Sequence, residues 1–341
     1  MSSSRREIEA RIGAVERAWG PRSVRAQNGP EGGRRQIDLR RLGGLSITVE
    51  PDQFLDLGVA EWNGDVVSVT TPSTSSRAES WGRRWLGGLL TTCGLTAVGR
   101  ASVEEGGMHG RAHLVAATVT RAEGRWNGDA YELEVAGSMR EGAIFEQNLT
   151  VDRTISAEHG VSRISVSDVV RNEGFAAVPL KLLYHINLGW PLLDAGAHVE
   201  ADASPAASGA DASAAASGTD GVGTPDARWS RELGAPVPGK PENVDALVAV
   251  AGDDGWSVAE LHAATTVVSV RYRTEELPYL TVWRSEAAGS YALGIEPGTC
   301  WPSHAEGPDE GKTGRMLAPG ESFTTRLEIT FTARDDDRSH A

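Results

Sequence analysis

Two histidines of this chain stand in segments that would leave their imidazole rings available for proton transfer. In residues 106–111, Gly-Gly-Met-His-Gly-Arg, glycines flank His109, so its ring is uncrowded and a ligand can approach the backbone closely. In residues 180–189, Leu-Lys-Leu-Leu-Tyr-His-Ile-Asn-Leu-Gly, His185 lies in the middle of an apolar run. Burial and a neighbouring acid move the pKa of such an imidazole towards working pH. Taken singly, the first segment also fits an ordinary turn and the second a core histidine.

Glu296 is the carboxylate that could act with these imidazoles. It ends the apolar run Ser-Tyr-Ala-Leu-Gly-Ile-Glu at residues 290–296, directly before a proline that ends the strand. A carboxylate in a buried strand is costly unless it is paired or functional, although a glutamate at the rim of a sheet would meet no such cost. One carboxylate and two imidazoles are groups that general acid–base catalysis uses.

Three other reactive patterns carry less weight. Residues 307–313, Gly-Pro-Asp-Glu-Gly-Lys-Thr, are one residue short of a phosphate-binding loop and lack its strand–loop–helix context. Cys93 has no basic neighbour in the chain, which predicts a packed thiol rather than a nucleophile. His109 and His113 are four residues apart and share a face only if the chain stays extended, so a metal site is not favoured. We therefore expect neither a metal nor an organic cofactor.

The elements that must position these side chains are β-strands. Five segments alternate apolar and polar residues with a period of two, which is typical of strands with one buried and one solvated face. They are residues 45–49, 131–135, 163–169, 268–273 and 326–331. Turn signals such as Asn127-Gly128 separate the strands. Many strands and few helices predict an all-β fold, a large antiparallel sandwich of two sheets.

One large domain is predicted between two less regular ends. Residues 1–35 form an N-terminal extension with a weak amphipathic helix at residues 4–19. Residues 36–333 form the sandwich. Within it, residues 201–224 are almost wholly Ala, Ser, Gly and Asp and are predicted to be a disordered surface loop, with a domain linker as the less favoured alternative. Residues 334–341 are predicted to be a flexible tail.

Composition and charge argue against several classes of partner. Of the 341 residues, 40% are hydrophobic, so the chain can bury a sizeable core. The formal net charge is −14 and the basic residues are scattered, which argues against nucleic acid and against an anionic membrane surface. No window reaches the ~20 apolar residues of a membrane helix, and no secretory apolar run follows the N-terminal charges. With only Cys93 and Cys300 present, we expect reduced thiols and a cytoplasmic protein.

Four motifs, taken in order, resemble those of one known superfamily. They are Trp-Leu-Gly-Gly-Leu-Leu-Thr-Thr-Cys-Gly-Leu at 85–95, His-Gly-Arg at 109–111, Tyr-His-Ile-Asn-Leu-Gly at 184–189 and Leu-Gly-Ile-Glu-Pro at 293–297. The chain resembles the galactose mutarotase or aldose 1-epimerase superfamily, and more closely its bacterial branch catalogued as a domain of unknown function. The resemblance extends over about residues 36–331. It implies a β supersandwich whose concave face binds a small-molecule carbohydrate.

The resemblance also implies roles for the three reactive residues. Aldose 1-epimerases open the hemiacetal of a sugar with a glutamate and a histidine, and the ring then recloses from the other side. By position, Glu296 would be the base that takes the anomeric hydroxyl proton, and His185 the acid that protonates the ring oxygen. His109 would hold the ring oxygen or a neighbouring hydroxyl. Such acid and base groups contribute roughly 10²–10⁴-fold each to a proton-transfer step.

Further contacts with the substrate are expected from residue type and position. Arg84 resembles the arginine that members of the superfamily place near sugar hydroxyls, and Arg111 is an alternative. Asn187 would orient His185 or contact the substrate, since it stands two residues further along the same strand face.

Aromatic and acidic contacts have more than one candidate. Trp283 or Trp301 could lay an indole against the C–H face of a sugar. The aspartate with which the well-studied epimerases hold sugar hydroxyls has two candidates, Asp194 and Asp245. His185 is followed by Ile-Asn-Leu rather than by the aromatic-rich stretch of those enzymes, so the identity of the sugar stays open.

Two other functions fit the same motifs. The sandwich could bind a carbohydrate without turning it over. It could also host another sugar isomerase or lyase with the same acid–base pair, with or without a metal ion. The sequence leaves the oligomeric state open.

Overall fold

The computed structural model describes residues 4–102, 107–206 and 228–334. Most of the predicted loop at residues 201–224, and nearly all of the predicted tail at residues 334–341, lie outside these ranges. Within them, none of the helices has the length and apolar character that crossing a membrane requires.

The helices are short and the strands are many. The helices are α1 (Arg5–Glu9), α2 (Val15–Trp19) and α3 (Trp81–Arg84), with 3₁₀ turns at Ala112–Leu114 and Asp309–Lys312. The strands are β1 (Arg22–Arg25), β2 (Arg35–Leu42), β3 (Leu45–Glu50), β4 (Asp56–Trp62), β5 (Asp65–Val66), β6 (Val69–Thr70), β7 (Gly87–Gly88), β8 (Leu90–Leu95), β9 (Thr118–Asn127), β10 (Ala130–Gly142), β11 (Asn148–Glu158), β12 (Arg163–Asn172), β13 (Val178–Gly189), β14 (His198–Ala201), β15 (Ala203–Pro205), β16 (Trp229–Glu232), β17 (Asn243–Ala249), β18 (Trp256–His262), β19 (Thr266–Arg273), β20 (Tyr279–Ala287), β21 (Ser290–Gly298), β22 (Arg315–Leu317) and β23 (Ser322–Ala333).

Two large antiparallel sheets account for nearly all of these strands. The first runs in the order β1-β2-β3-β4-β8-β13-β21-β20-β17-β15, with β5 paired to β4 and β22 paired to β13. The second runs in the order β16-β14-β18-β19-β23-β12-β11-β10-β9. Side chains of both sheets form one continuous hydrophobic core. The all-β sandwich expected from the alternation of apolar and polar residues is therefore confirmed.

The N-terminal segment joins this architecture rather than standing apart from it. The single helix predicted for residues 4–19 is two short helices, α1 and α2, separated by a stretch that contains Gly13, a residue that weakens a helix interior. Val15 and Trp19 of α2 are buried against the core. Strand β1 pairs with β2 and forms the edge of the first sheet.

A buried ion network connects the two sheets through the core. Arg153, on β11 of the second sheet, donates to Asp168 through Nε and Nη2, at 2.8 and 2.7 Å. Its Nη1 reaches Asp56 on β4 of the first sheet at 2.8 Å, and its Nη2 also donates to Thr92 on β8 at 2.9 Å. Because every charge in this group has a partner, the core can hold it.

Strand β13 lies in the middle of the first sheet, between β8 and β21. Its last eight residues are all buried, which explains why its sequence reads as a continuous apolar run rather than as an alternation. Polar side chains on this strand are therefore placed deep in the fold.

Candidate active site

A row of side chains crosses the centre of the first sheet on four neighbouring strands. The pairing of β13 with β21 sets Ile186 opposite Ile295, so the preceding His185 lies opposite the following Glu296. The row continues on both sides, because Thr281 of β20 pairs with Glu296 and Thr91 of β8 pairs with His185. Residues in one such row project their side chains on the same face of a sheet.

The central pair is close and deeply buried. Nε2 of His185 lies 3.0 Å from Oε1 of Glu296, and the two side chains are only 7% and 2% exposed. The contact is short in distance but its angle does not satisfy a hydrogen bond, so Oε1 is left without a hydrogen-bond partner. A ligand group that reaches this pair from the open side would contact both side chains.

Burial moves the two pKa values towards the neutral forms of both groups. It raises the pKa of Glu296 well above its usual range, and the negative charge of Glu242 raises it further. Burial lowers the pKa of His185 to about 4, against a smaller opposing effect of the Asn187 side chain. Both shifts favour the form of the pair that holds a single proton, with the imidazole neutral and the carboxyl group protonated.

His109 faces this pair from the loop that follows β8. The ring centroids of His109 and His185 are 5.7 Å apart, with the planes nearly perpendicular at 82°. The backbone of His109 is in the left-handed region, with φ 63°, and is held by hydrogen bonds to Gly99 and Gly94. The next residue, Gly110, has φ 72°, and a Cβ there would lie 2.6 Å from the carbonyl oxygens of Ala97 and Gly94. The glycine noted in the sequence is thus required for the chain to bring His109 over the sheet.

Burial lowers the pKa of His109 well below its usual value. Electrostatic repulsion from His185, His304 and His113 lowers it further. Its ring is therefore neutral near pH 7. The amide of Gly99 donates to Nδ1 of this ring at 3.4 Å, which assigns the ring proton to Nε2. The ring can thus donate one hydrogen bond from Nε2.

Three tryptophans form walls around the histidines. Trp81, the first residue of α3, and Trp85, which directly follows this helix, stack at 5.8 Å with nearly parallel rings. Trp81 lies 4.9 Å from the ring of His109, and Trp85 lies 6.0 Å from that of His185. Trp283, on β20, packs edge-on against His185 at 5.5 Å and donates from Nε1 to Glu242 at 2.9 Å. Of these three tryptophans, the sequence analysis had predicted only Trp283 as a contact with the substrate.

Together these side chains enclose a cleft of about 170 Å³. It is lined by Trp81, Trp85, Met108, His109, His185, Glu242, Val244, Thr281, Trp283, Glu296, Pro302 and His304. A larger cavity of about 380 Å³ lies elsewhere, beside Trp62, Pro191 and Arg334, but among the described residues no histidine and no glutamate lines it. The chemistry of the lining, rather than size, identifies the cleft as the candidate site.

Sequence reasoning missed several of these residues. Glu242 precedes β17 and His304 follows β21, each in a polar or Pro-containing stretch without a motif of its own. Trp81 stands four residues before the recognised glycine-rich segment, and this helical spacing from Trp85 was the one signal that could have revealed it. Thr281 was obscured because its strand is mostly apolar.

Buried polar atoms without a hydrogen-bond partner gather around the central row. In the part of the chain that is described, they include His185 Nδ1, Asn187 Oδ1, Thr281 Oγ1 and Glu296 Oε1. Buried polar groups are normally paired, so a group of unpaired atoms marks a place where a ligand or water supplies the partners. A ligand with several hydroxyl groups meets this requirement.

Three residues predicted as substrate contacts do not line the cleft. Arg84 lines a neighbouring cavity with Trp85 and His113, and its Nη1 donates to the carbonyl of Glu79 at 2.9 Å. Arg111 follows His109 and Gly110 and is half-buried. Asn187 is fully buried, and its Nδ2 donates to the backbone carbonyl of His185 at 2.7 Å. Of the two roles predicted for Asn187, this position favours the orientation of His185.

Other expectations of the sequence analysis are corrected by the fold. Trp301 donates to the carbonyl of Leu247 at 2.8 Å, packs in the interior and does not line the cleft. Asp194 is exposed on the turn after β13, and Asp245 is engaged by Arg284 at 3.0 Å. Neither aspartate lines the cleft. The acidic groups that do so are Glu242 and Glu296.

Comparison with known proteins places the chain in a family. Residues 31–331 match the sequence profile of a family described as Domain of unknown function (DUF4432). The chain belongs to the DUF4432 family. This confirms the resemblance noted in the four sequence motifs, and the match spans β2 to β22, most of β23 and every residue of the cleft. No curated protein matches the DUF4432 chain in sequence.

Solved structures resemble this DUF4432 protein over nearly its whole length. A Klebsiella pneumoniae protein with a provisional aldose 1-epimerase name is 22% identical, with a TM-score of 0.75 over 91% of this chain and 83% of that one. A galactose mutarotase-like protein from Clostridium acetobutylicum is 14% identical, with a TM-score of 0.63 over 93% and 99% of the two chains. A galactose 1-epimerase from Lactobacillus acidophilus is 15% identical, with a TM-score of 0.62 over 92% and 99%. At these identities the likeness establishes the galactose mutarotase-like fold.

Proposed function

We propose that this DUF4432 protein is an aldose 1-epimerase that interconverts the anomers of a small carbohydrate by general acid–base catalysis. The observation that carries the proposal is the buried pair of Glu296 and His185, 3.0 Å apart on the floor of a cleft walled by tryptophans. The names of the structurally similar proteins agree with this function.

The unpaired polar atoms and the indole walls support a carbohydrate as ligand. Sugar hydroxyls can satisfy Thr281 Oγ1 and Glu296 Oε1, which have no hydrogen-bond partner among the described residues. The faces of Trp81, Trp85 and Trp283 are suited to the C–H faces of a pyranose or furanose ring. The proposal includes a small carbohydrate as the one partner of the protein. It also includes a cytoplasmic location.

The reaction needs a base and an acid on a single bound sugar. Glu296, as carboxylate, takes the proton of the anomeric hydroxyl, and the electron pair left on that oxygen forms the C1 carbonyl. The bond from C1 to the ring oxygen breaks, and His185, as imidazolium, gives its proton to that oxygen. Rotation about the C1–C2 bond and the reverse proton transfers close the ring on the other face of the aldehyde.

The shared proton of the pair fits this sequence of events. Transfer of the proton from Glu296 to His185 converts a neutral pair into a carboxylate and an imidazolium, which are the forms the reaction needs. Ring opening then moves one proton onto Glu296 and one off His185, so the pair holds one proton before and after. A metal or organic cofactor has no step in this scheme.

His109 and Asn187 have supporting roles in the proposal. The neutral ring of His109 donates from Nε2 to the ring oxygen or to a neighbouring hydroxyl, and this hydrogen bond holds the sugar beside His185. Asn187 orients His185 through its hydrogen bond to the backbone of that residue. Contacts of Arg84 and Arg111 with the sugar remain predictions.

Glu296→Gln is the variant that tests the proposal. The amide keeps the size of the side chain and cannot accept the anomeric proton, so we expect anomer exchange to fall by about 10²–10⁴-fold. Exchange is measured by NMR or polarimetry across hexoses, pentoses and 6-deoxy sugars, and binding by the fluorescence of the cleft tryptophans. Glu275→Gln, at an exposed glutamate paired with Arg273, is the matched control and should leave both unchanged.

The same measurements separate the alternatives. Sugar binding by the wild-type protein without any anomer exchange would replace the proposal with a carbohydrate-binding function. Exchange that is lost with a chelator and restored by a metal would favour a metal-assisted isomerase. Full exchange in Glu296→Gln would exclude Glu296 as the base.

A further inference from the structure

A second cluster of histidines and carboxylates lies on the other sheet, near its edge. In the antiparallel pair of β14 and β18, His198 is opposite His262, and Glu200 is opposite Glu260. The two imidazole rings stack with centroids 4.7 Å apart and planes within 3°. Nε2 of His262 lies 3.1 Å from Oε1 of Glu200 and 3.5 Å from Oε2 of Glu260. Four potential ligands therefore share two adjacent rows on one face of the sheet.

The spacing of these groups suits a single small cation. One donor atom from each of His198, Glu200 and His262 can be chosen so that all three lie within 4.8 Å of one another. Around a tetrahedral zinc ion, with bonds of about 2.0–2.1 Å, neighbouring donor atoms are about 3.3 Å apart. The donor atoms must therefore approach one another by about 1.5 Å. Rotation of the partly exposed side chains achieves this without movement of the strands.

Arg228 now neutralises part of the negative charge at this place. Its Nη1 lies 2.6 Å from Glu200 and 3.4 Å from Glu260, and its Nε lies 2.7 Å from Asp202. Three carboxylates thus share one guanidinium. The excess of negative charge attracts a further cation, and Arg228 is half-exposed and free to turn towards solvent when that cation takes Glu200.

We propose that His198, Glu200 and His262 bind one divalent transition-metal ion of the zinc class, with Glu260 as fourth ligand in place of Arg228. Two imidazoles with carboxylates favour zinc, nickel or copper over magnesium or calcium. The ion would link β14 to β18 beside the edge strand β16. It would therefore stabilise this end of the second sheet, away from the cleft that lies on the first sheet.

Zinc titration of the metal-free, tag-free protein by isothermal calorimetry tests the site. We expect one zinc ion per chain and a rise in melting temperature with zinc, because an ion that binds only the folded state stabilises it. Magnesium in excess should not compete. The absence of saturation with zinc on the order of 1 mM would overturn the proposal.

Variants locate the ion and exclude a site in the cleft. His198→Ala and His262→Ala should each weaken zinc binding by at least about 10-fold. His109→Ala, which removes a histidine of the cleft, should leave zinc binding unchanged. Equal affinity in wild type and His198→Ala, or loss of binding in His109→Ala, would overturn the assignment.

Arg228→Ala should strengthen zinc binding, whereas the histidine variants should weaken it. Misfolding would not strengthen binding. Removal of the competing guanidinium frees Glu200 and Glu260, so zinc should bind several-fold more tightly. Unchanged or weaker binding in this variant would contradict the proposed displacement of Arg228. Anomer exchange should be the same with and without chelator, which separates this ion from a metal used in the reaction.

Discussion

His185 and Glu296 would control the chemistry through the single proton that they share. At low pH the pair gains a second proton and loses its base; at high pH it loses its one proton and with it the acid. The lowered pKa of His185 and the raised pKa of Glu296 both widen the range between these limits. The buried position of the pair therefore favours activity over a broad range around neutral pH.

This argument predicts the pH dependence of anomer exchange. After subtraction of the solvent-catalysed rate, kcat/KM should be flat near neutral pH and should fall on the acid side with a midpoint near the pKa of His185, about 4. Glu242→Gln should shift the alkaline limb to lower pH, because the charge of Glu242 raises the pKa of Glu296. An acid limb near the usual pKa of a solvated histidine would contradict this assignment.

The predictive value of the sequence differed from residue to residue. His109, His185 and Glu296 were recognised because their motifs occur together and in one order, since each segment taken singly also fits a structural role. The structure brings all three to one cleft. Their catalytic roles stay predictions. Trp301 was misjudged because a tryptophan near a reactive glutamate in sequence can point either to the cleft or to the core, and only the packing decides.

At the scale of the element, β21 shows why one strand position must be small. Gly294 stands two residues before Glu296, on the same face of the sheet. A Cβ at Gly294 would lie 2.4 Å from Oε1 of Glu296 and 3.0 Å from Cε1 of His185. The missing side chain thus makes room for the catalytic pair proposed here.

Gly294→Ala should therefore reduce activity more than stability. The methyl group would push the Glu296 carboxylate aside, and a displacement near 1 Å can reduce the rate by about 10²-fold. The fold should persist, because the displaced atoms belong to side chains rather than to backbone. Exchange rates and thermal melting measure the two effects.

Gly82→Ala is the matched control for this variant. Gly82 lies on α3 beside Trp81, and a Cβ there would meet no atom of the described residues within 4 Å. Its exchange rate should remain close to that of the wild type. Equal rates in Gly294→Ala and wild type would show that Glu296 has more freedom than its position indicates.

For the whole molecule, the relative position of the two sheets depends on packing and on the Arg153 network. Arg153 is fully buried and connects Asp168 on the second sheet with Asp56 on the first. Removal of one member of such a group leaves its partners charged and unpaired in the core. This arrangement could not be read from the chain, since nothing in the sequence indicates which charges will meet.

Arg153→Met should lower the free energy of unfolding by about 3–5 kcal/mol, because it leaves Asp56 and Asp168 without their cation. Urea denaturation of the full chain measures this change. Arg121→Met removes an exposed arginine that pairs with Glu134 on the same sheet, and should have little effect. A stability of Arg153→Met equal to that of the wild type would mean that the two aspartates find other partners.

The amino-acid sequence by itself determined the strands and the residues able to transfer protons. Both are local properties: the alternation of apolar and polar residues selects a strand with one buried face, and a glycine-flanked histidine is visible in six residues. The family motifs belong to the same class of information.

Only the tertiary structure decided which strands are neighbours, and hence which side chains meet. The row that contains Thr281, Glu296, His185 and Thr91 depends on the strand order β20-β21-β13-β8. Strands β8, β13 and β20 are far apart in sequence, because strands of both sheets lie between them in the chain. Trp81, Glu242 and His304 join the cleft for the same reason. Strand pairing depends on how much apolar surface the whole core buries. A short segment of sequence does not contain this information.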